Sequence, residues 1–526
     1  MAAAREVGDD EVIKLNNCAE MKKYIIAAVL IMTAIGLRAQ ETYENAFISR
    51  PELNGTARYV GMGGAMEALG ADISVIGSNP AGIGLFRHSQ VAVSFGFVSQ
   101  SGATSFYDAK KTNASFDQAG MVWTTQTGDN SYINFAFNYT KERNFDYILS
   151  AAGSLGGASQ ANMTYNKLST GILSSSDYAY SQLDYLYCDQ FYSSDGDFYD
   201  FQGDQYSMDR GCTGYIGRYD VNISGNINNR VYLGLTVGVY DVHYDSYSEY
   251  GETALSGDVG SILVEDARSI TGTGFDVKAG IIVRPIEDSP FRIGFSVASP
   301  VFYNLKTSNL TRLYVYEGSD RTTNYYSSST EYYEFRLNTP WKFGVSLGHT
   351  VSDWLAIGAS YEYQDYSSLD TRIKDGYDEW GYESSVSDRE MNNHTGSTLK
   401  GVSTLKIGVE AKPEEDFALR LGFNYVSSMF NKDGFKDTTL DSPGTYYQSA
   451  SDFTNWEETY RVTAGIGYKT NGVNIDLAYQ YSATNGEFCP FADAASYSDG
   501  SMTNYGDAVN IKDKRHQLLL TLGYTF

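Results

Sequence analysis

Apolar and polar side chains alternate along most of this chain, and this alternation restricts its fold more than any other feature. In residues 417–425 the odd positions hold Phe, Leu, Leu, Phe and Tyr, whereas the even positions hold Ala, Arg, Gly and Asn. Residues 473–481 repeat the pattern. A period of two is the signal of a β-strand. The polar faces also hold Gly, Ala and Ser, and aromatic residues recur at strand ends, which favours strands between lipid and a crowded lumen.

Fourteen segments show this pattern, an even number as expected of a bacterial single-chain barrel. Short turns alternate with long connections, of which the longest covers residues 141–215. Both termini are expected in the periplasm, so that the long connections face outward. The predicted strands are 90–100, 116–126, 131–140, 216–227, 230–245, 273–284, 290–302, 338–349, 353–366, 402–412, 417–428, 457–469, 472–482 and 515–526. We therefore expect an all-β, 14-stranded antiparallel transmembrane β-barrel.

The end of the chain places Leu518, Leu520, Leu522, Tyr524 and Phe526 on one face of the last strand. A terminal strand that ends in an aromatic residue resembles the signal read by the outer-membrane barrel assembly machinery. An ordinary edge strand is the plain alternative. We expect Tyr524 and Phe526 to be the assembly signal, with this machinery and the outer-membrane lipids as partners.

The start of the chain predicts export. Lys22 and Lys23 form a basic region, an apolar run follows, and cleavage after Ala39 completes a signal peptide over residues 21–39. The apolar run is too short to be a spanning helix. Residues 1–20 are interpreted as a mis-called upstream translation start. The expected location is the outer membrane of a Gram-negative bacterium.

Charge and composition exclude several classes of function. The net charge of −25 argues against a nucleic-acid partner, because phosphates need a basic face. The five His are scattered, and no HExxH or GxSxG pattern is evident. We therefore expect no enzyme, no metal centre and no cofactor. Cys188 and Cys212 are a candidate bridge, and free thiols are the equal alternative.

The residues before the first predicted strand, 40–89, alternate poorly and are rich in Gly and Ala. Gly61, Gly63 and Gly64 superficially suggest a dinucleotide loop, but no apolar strand precedes them and no βαβ unit follows. A barrel of this size leaves a lumen that is open or plugged, since about eight strands is the size that side chains fill. We expect a compact hatch over 40–89, in which Gly allows close backbone approaches, and a barrel over 90–526.

Asn79, Pro80, Ala81 and Gly82 form an NPAG sequence in this hatch. It resembles the NPA motif in the hatch of the long-chain fatty acid and aromatic hydrocarbon transporter family, the FadL and toluene-porin type proteins. The resemblance covers essentially residues 43–526, and its parts occur in order at 272–303, 337–346, 359–366 and 405–425.

The resemblance implies a barrel of this strand number, an N-terminal hatch and passive passage of a small hydrophobic ligand. It further implies that ligand lands on the outer loops, enters a lumenal pocket and leaves sideways through a gap near the third strand, here 131–140. Asn79 and Pro80 are expected to fix the hatch against the inner wall, and a plain turn is the alternative.

The longest loop departs from the family pattern. Its acidic, Tyr-rich run 194–205 leaves the identity of the ligand open, because fatty acid anions are not drawn to such a loop by charge. A solvated acidic loop is expected, and the alternative is Ca²⁺ held by Asp195, Asp197, Asp200 and Asp204.

The same loop contains two candidate amphipathic helices. Ser176 or Asp177 is predicted to cap a helix that ends near Phe191. Two readings are open: the apolar faces pack together to hold the loop, or they leave a groove on which ligand lands. The faces are Tyr180, Leu183, Tyr187 and Phe191 in one helix and Ala161, Tyr165, Leu168 and Ile172 in the other.

The predicted function is passive uptake of small hydrophobic molecules, fatty acid-like or aromatic, with lateral release gated by the hatch. A surface adhesion or binding barrel that uses its Tyr-rich loops is the alternative. The hatch favours transport, because an adhesin does not need a regulated lumen. An energised receptor is excluded by size, since such receptors have about 22 strands and a far larger plug. We expect a monomer.

Overall fold

The computed structural model of the chain describes residues 41–175, 178–192, 197–317, 322–328, 330–377, 379–495 and 503–526. It is a closed antiparallel barrel of 14 strands, in which the first strand of the wall pairs with the last. Numbered β1–β20 in chain order, the wall strands are β1 (Gln90–Gln100), β2 (Thr112–Gly128), β3 (Ser131–Asn144), β5 (Gly203–Ile227), β6 (Val231–Ala254), β7 (Val259–Val283), β8 (Arg292–Ala298), β12 (Lys342–Val351), β13 (Leu355–Asp365), β16 (Gly401–Glu414), β17 (Phe417–Val426), β18 (Phe453–Thr470), β19 (Val473–Cys489) and β20 (Val509–Thr525). Each predicted strand corresponds to one of these, so the predicted fold class is confirmed.

Six further strands extend the wall at its outer end. They are β4 (Tyr147–Ser154), β9 (Phe302–Glu317), β10 (Thr322–Ser327), β11 (Glu331–Asn338), β14 (Asp370–Tyr377) and β15 (Glu383–Ser387). β9 pairs with the outer half of β7, β11 with β9, β14 with β11, and β15 with β14. The helices among the outer loops are Gln160–Ser169, Ile172–Ser175, Gln182–Phe191, Tyr366–Ser368, Arg389–Thr398 and Pro443–Tyr446.

The apolar face changes sides along β6. Near the periplasmic end the odd positions from Leu233 to Val239 are exposed to the outside, as a lipid-facing surface requires. Beyond this point the outward positions are Asp241, His243 and Asp245, whereas the inward Tyr and Val side chains at 240, 242 and 244 are buried. The outer half of the strand therefore packs as in a soluble protein, with its core inside. The predicted end of this strand at residue 245 is wrong, because backbone pairing continues after the change of face.

Two prolines interrupt neighbouring strands at the same level. Val301 donates its backbone N–H to Thr339 Oγ1 at 2.8 Å, between the break at Pro300 and the break at Pro340. Because Pro has no N–H to donate, it cannot sit in the middle of a hydrogen-bonded strand. The predicted strands 290–302 and 338–349 are therefore wrong at these ends. β8 stops at residue 298 and β9 starts at residue 302, and β11 stops at residue 338 and β12 starts at residue 342.

The outward surface of the barrel is an apolar band. Leu421, Val462 and Trp123 are 67%, 55% and 55% exposed, as expected of apolar side chains that face lipid. Inward neighbours such as Arg420 and Asn424 are buried. None of the helices in the described part of the chain is long and apolar enough to span a membrane.

The N-terminal segment lies inside the barrel as a hatch. Its apolar residues form one core with wall residues such as Val122, Ala478 and Leu519. Thr56, Asp72 and Asn79 each cap a helical turn with the side chain, so the short turns begin where the sequence provides an acceptor. The helical elements are Thr42–Ser49, Ala57–Gly61, Ile73–Gly77 and Pro80–Leu85.

Candidate functional site

The NPAG turn is buried against three wall strands. Asn79 Oδ1 accepts the N–H of Ala81 at 3.1 Å, which caps the turn Pro80–Leu85. A side chain at Gly280 or Gly294 would collide with Asn79, and one at Gly234 would collide with Pro80. The structure thus places Asn79, Pro80, Ala81 and Gly82 in a recess made by glycines of β6, β7 and β8. Their part in gating remains a prediction.

The three hatch glycines face the opposite wall. Gly63 has a φ of +63° and lies so close to Phe423 that a Cβ would be 2.8 Å from the Phe423 nitrogen. Gly64 has a φ of +80°, and a Cβ on Gly61 would touch Gly465. A larger residue at position 63 would therefore require both a strained backbone and a displaced wall.

Buried ion pairs attach the hatch to β16. Arg58 donates to both carboxylate oxygens of Glu410, at 2.9 and 3.0 Å, and Glu410 also accepts from Arg420 at 2.6 Å. Glu67 accepts from Lys406 at 2.8 Å. Sequence reasoning missed these pairs, although charged residues on the inward face of a strand were a visible signal.

A cavity of about 160 Å³ lies between the hatch and the outer loops. Tyr43 from the first lumenal helix stacks on Phe430 with a centroid distance of 5.2 Å, and Phe47 lies edge-on to Tyr244 at 5.6 Å. Other apolar lining residues are Tyr147, Leu149, Val402, Val426, Met429, Phe453 and Trp456. We call this cavity the chamber, and it is a concave apolar site of the kind that hydrophobic ligands use.

Two arginines at the floor of the chamber have no carboxylate within 4 Å among the described residues, Arg50 and Arg143. Arg143 donates to the Arg50 carbonyl at 2.6 Å and lies over the Phe47 ring at 4.7 Å. Its Nε has no hydrogen-bond partner in the described part of the chain. Arg50 donates to the hydroxyls of Thr459 and Thr484 at 2.8 and 3.0 Å. Other chamber cations are paired, as Arg210 is with Asp452. Within the described ranges, Arg50 and Arg143 therefore have no direct ion-pair partner at the floor, although Glu52 lies near enough to act on both of them electrostatically.

A second cavity of about 50 Å³ adjoins the chamber and shares Arg50, Arg143 and Arg515 with it. Four buried atoms on its lining have no partner in the described part of the chain. Buried polar atoms of this kind are normally satisfied by protein, water or ligand. They are Asp117 Oδ2, Arg143 Nε, Asn144 Nδ2 and Gln480 Oε1. We call this cavity the polar vestibule.

The wall beside the polar vestibule is incomplete. Pairing between β2 and β3 ends at Gln118 and Thr140, although β2 continues outward for six residues from Asp117 to Thr112. The last residue of β3 turns to the lumenal segment, where Asn144 donates its backbone N–H to Glu52 at 2.7 Å. We call this break in the backbone ladder the seam.

Hydrogen bonds from side chains bridge the seam in place of the backbone ladder. Lys141 on β3 donates to Ser115 on β2 at 2.8 Å, and Ser115 donates to Asp117 at 2.7 Å. Asn54 of the hatch segment donates to Asp117 Oδ1 and to the Lys141 carbonyl, both at 3.0 Å. The hatch is thus bonded to both edges of the seam.

The predicted landing faces in the longest loop are mostly filled. Leu183, Tyr187 and Phe191 are 6%, 0% and 4% exposed, and Phe191 packs on Phe198 and on other aromatic side chains of the loop. Ala161 is buried, Leu168, Ile172 and Tyr180 are partly buried, and Tyr165 is 45% exposed. Most of these residues therefore pack inside the loop, as the first of the two alternatives predicts. A role in the landing of ligand remains a prediction.

The predicted start of the second loop helix is wrong. The helix begins at Gln182, where Ser181 and Asp184 form a capping box, and Tyr180 precedes it. Ser176 and Asp177 lie outside the described residues, and Ile172 begins a separate short helix. The S-x-x-D spacing was the signal that would have found the cap.

The remaining predicted features occupy separate places. Cys188, Cys212 and Cys489 are buried and unbridged. In the acidic run, Asp195 lies outside the described residues, and no group of metal-ligating side chains forms in the part of the chain that is described. Tyr524 and Phe526 face outward and are 49% and 54% exposed.

No protein-family model matches the sequence, and no curated protein is similar enough to count as a match. Among solved structures, a Pseudomonas aeruginosa FadL homologue matches with a TM-score of 0.50 and 13% identity over 90% of this chain and 99% of its own. The Ralstonia pickettii toluene transporter TbuX and the P. putida toluene transporter TodX match with a TM-score of 0.47 and 12% identity, over 90% of this chain and 98% and 99% of theirs. The chain therefore has the fold of the FadL type, a 14-stranded barrel with an N-terminal hatch.

Proposed function

We propose that the protein is an outer-membrane channel for passive uptake of small hydrophobic molecules that carry an acidic group. The observation that carries this proposal is the chamber, whose walls are aromatic and whose floor presents Arg50 and Arg143 without carboxylate partners. The apolar part of such a molecule fits between the aromatic walls, and its anionic head group can bind Arg50 and Arg143 through charge-assisted hydrogen bonds. The proposal assigns no reaction to the chain.

The exit that we propose is lateral. The polar vestibule joins the chamber floor to the seam, and the outer part of β2 lacks a backbone partner on its β3 side. A molecule that leaves here enters the lipid without crossing the hatch. The sequence resemblance to the FadL and toluene-porin type family implies the same route.

The hatch would control this exit through Asn54. Its amide bridges Asp117 and Lys141 across the seam, while Arg58 and Glu67 attach the hatch to β16. A head group that enters the vestibule competes for these polar partners. We infer that such competition loosens the seam, and that the hydrogen bonds of Asn54 keep the seam closed when the vestibule is empty. The chain would work as a monomer, inserted by the barrel assembly machinery.

Uptake of two fluorescent probes into liposomes tests this function. Arg143→Gln should lower uptake of a fatty acid probe about tenfold and change uptake of a neutral hydrocarbon probe little, since a hydrogen bond to a charged group contributes roughly 1.5–3 kcal/mol. Arg230→Gln is the matched control, because Arg230 is half exposed and pairs with the exposed Glu287. Equal losses for both probes would contradict the acidic-group assignment.

Surface binding is the second candidate. Tyr377, Trp380 and Tyr382 are 75%, 83% and 72% exposed around the turn between β14 and β15. Exposed aromatics in a cluster are typical of interaction sites. Removal of residues 375–382 should leave probe uptake unchanged if the hairpin serves binding alone, and abolish attachment to a surface if that is the protein's main role.

A further inference from the structure

Four lysines form an exposed basic patch on the outer rim of the barrel. They lie on the end of β20 and on the β1–β2 connection: Lys110, Lys111, Lys512 and Lys514. None of the four forms an ion pair within 4 Å among the described residues. In a chain with a net charge of −25, four unpaired cations in one place call for a physical reason.

Backbone hydrogen bonds fix the arrangement of the patch. Ser101 donates its N–H to the Lys514 carbonyl at 2.7 Å, and Gln100 donates its N–H to the Lys111 carbonyl at 2.9 Å. Lys111 and Lys514 thus flank the end of β1 from both sides, roughly 10 Å apart at the usual strand spacing. Lys512 follows on the same face of β20 as Lys514. Two exposed acids lie close to the patch, Glu487 on β19, opposite Asn510, and Asp108, two residues before Lys110.

The height of the patch matches the outer interface of the membrane. Lys514 precedes the terminal Phe526 by twelve residues, which is about 30 Å along the membrane normal for a strand tilted by about 40°. The apolar band of such barrels is about 25 Å tall and ends in an aromatic girdle. Here the girdle is present directly below the patch, where Tyr479 bonds to His516 at 2.7 Å. The lysines therefore lie just beyond the hydrocarbon region.

The patch is confined to one sector of the barrel. At the corresponding height β6 presents Asp241, His243 and Asp245 outward, and β18 presents Glu458. An anionic head group would be repelled from those sectors and attracted to the lysines, with a contribution that falls off within a Debye length.

We propose that Lys110, Lys111, Lys512 and Lys514 bind the phosphorylated head group of an outer-leaflet glycolipid. Its acyl chains would lie along the apolar residues of β1 and β20 below the girdle, and its phosphates would meet the ammonium groups. This site faces the membrane and is separate from the chamber, so it does not depend on what passes through the lumen.

Native mass spectrometry of the full-length protein in detergent tests the proposal. The probes are diphosphorylated lipid A, its dephosphorylated form and inorganic phosphate. Lys512→Gln/Lys514→Gln should weaken binding of diphosphorylated lipid A roughly ten- to thirty-fold, as expected from the usual contribution of each lysine near an anionic surface. Lys412→Gln/Lys469→Gln removes the same charge from exposed positions at the periplasmic ends of β16 and β18, and this variant should bind as the parent does.

Three results would overturn the assignment. They are equal affinity of the two double variants, equal affinity for the dephosphorylated lipid, and binding of inorganic phosphate as tight as that of the lipid. Fatty acid uptake by Lys512→Gln/Lys514→Gln should equal that of the parent, which separates this proposal from the proposed transport function.

Discussion

The side chain of Asn54 donates a 3.0 Å hydrogen bond to Asp117 at the point where β2 and β3 part. Asn54 belongs to the segment that fills the lumen, whereas Asp117 belongs to the wall. The bond therefore links the position of the hatch to the opening or closing of the seam. Because Asp117 is buried and its second oxygen has no partner among the residues that the structure describes, the bond is open to competition from a polar group in the vestibule.

Removal of this link should loosen the seam. Asn54→Ala is expected to raise passage of a hydrophobic probe several-fold, since both edges lose their common donor, and the buried Asp117 loses a hydrogen bond worth roughly 1–3 kcal/mol. Probe flux into liposomes measures it. Asn474→Ala is the control, because Asn474 donates to Thr525 at the periplasmic end. Unchanged flux in Asn54→Ala would show that the seam does not limit passage.

The NPAG turn should influence passage more than stability. Asn79→Ala removes a cap, which costs about 0.5–2 kcal/mol, and leaves space beside Gly280 and Gly294. Probe flux should change while the barrel keeps its heat-modifiable migration in gels. Ser442→Ala removes a comparable cap in an outer loop and should not affect flux. A mutant that loses folded barrel with flux per folded molecule unchanged would support a plain turn.

The outer loops should be sensitive to pH through Glu252. This residue lies beyond the apolar band of β6, where it accepts from Ser159, from the Gln160 N–H and from Tyr250, and burial raises its pKa to about 7. A raised carboxyl pKa stabilises the folded loop at low pH, and that stability is lost as the pH rises through 7.

Thermal unfolding of the outer loops, followed by fluorescence, checks this behaviour. Glu252→Gln should be more stable than the parent at pH 8, and its advantage should disappear at pH 5. A difference between the two proteins that is the same at both pH values would exclude Glu252 as the titrating group.

The terminal aromatic residue should matter for assembly more than for the final fold. Phe526 is 54% exposed, its ring stacks on Tyr524, and its backbone N–H donates to the Ser89 carbonyl at 2.9 Å. Deletion of Phe526 should lower the amount of membrane-inserted, heat-modifiable protein. Deletion of Tyr377, an exposed aromatic of an outer hairpin, is the control. Normal levels without Phe526 would make the last strand an ordinary edge.

Alternation predicted the strands well where one face meets lipid and the other a polar lumen, as in β17 and β19. It failed along the outer half of β6, where the apolar side chains move from the outward Val239 to the inward Tyr240 and Val242. Each half of β6 still alternates, but the apolar residues change from one face to the other, so the strand as a whole does not show one continuous alternation. Pro300 and Pro340 are visible in the sequence, but the predicted strands 290–302 and 338–349 continue across them.

The site was less accessible to prediction than the fold. The NPAG turn was recognisable because its four residues are adjacent in sequence. Arg50 and Arg143 are far apart in sequence and meet only because the barrel closes around the N-terminal segment. Asn54, Asp117 and Lys141 are also far apart in sequence. Asn54 hydrogen-bonds to the other two only because the backbone pairing of β2 with β3 stops beside them.

Reversible cross-linking across the seam tests lateral release most directly. Asp117→Cys/Lys141→Cys, treated with a short bifunctional thiol reagent that contains a disulfide, should show fatty acid uptake near background, and reduction should restore it. Cys188, Cys212 and Cys489 are buried and should not compete for the reagent. Because Asp117 is buried beside the polar vestibule, the reagent must be small enough to enter from there, and mass spectrometry should first verify that both introduced thiols are modified. Thr125→Cys/Ile133→Cys, a pair within the closed part of the same ladder, should be insensitive to the reagent. If uptake continues at full rate with the seam cross-linked, the ligand does not leave between β2 and β3.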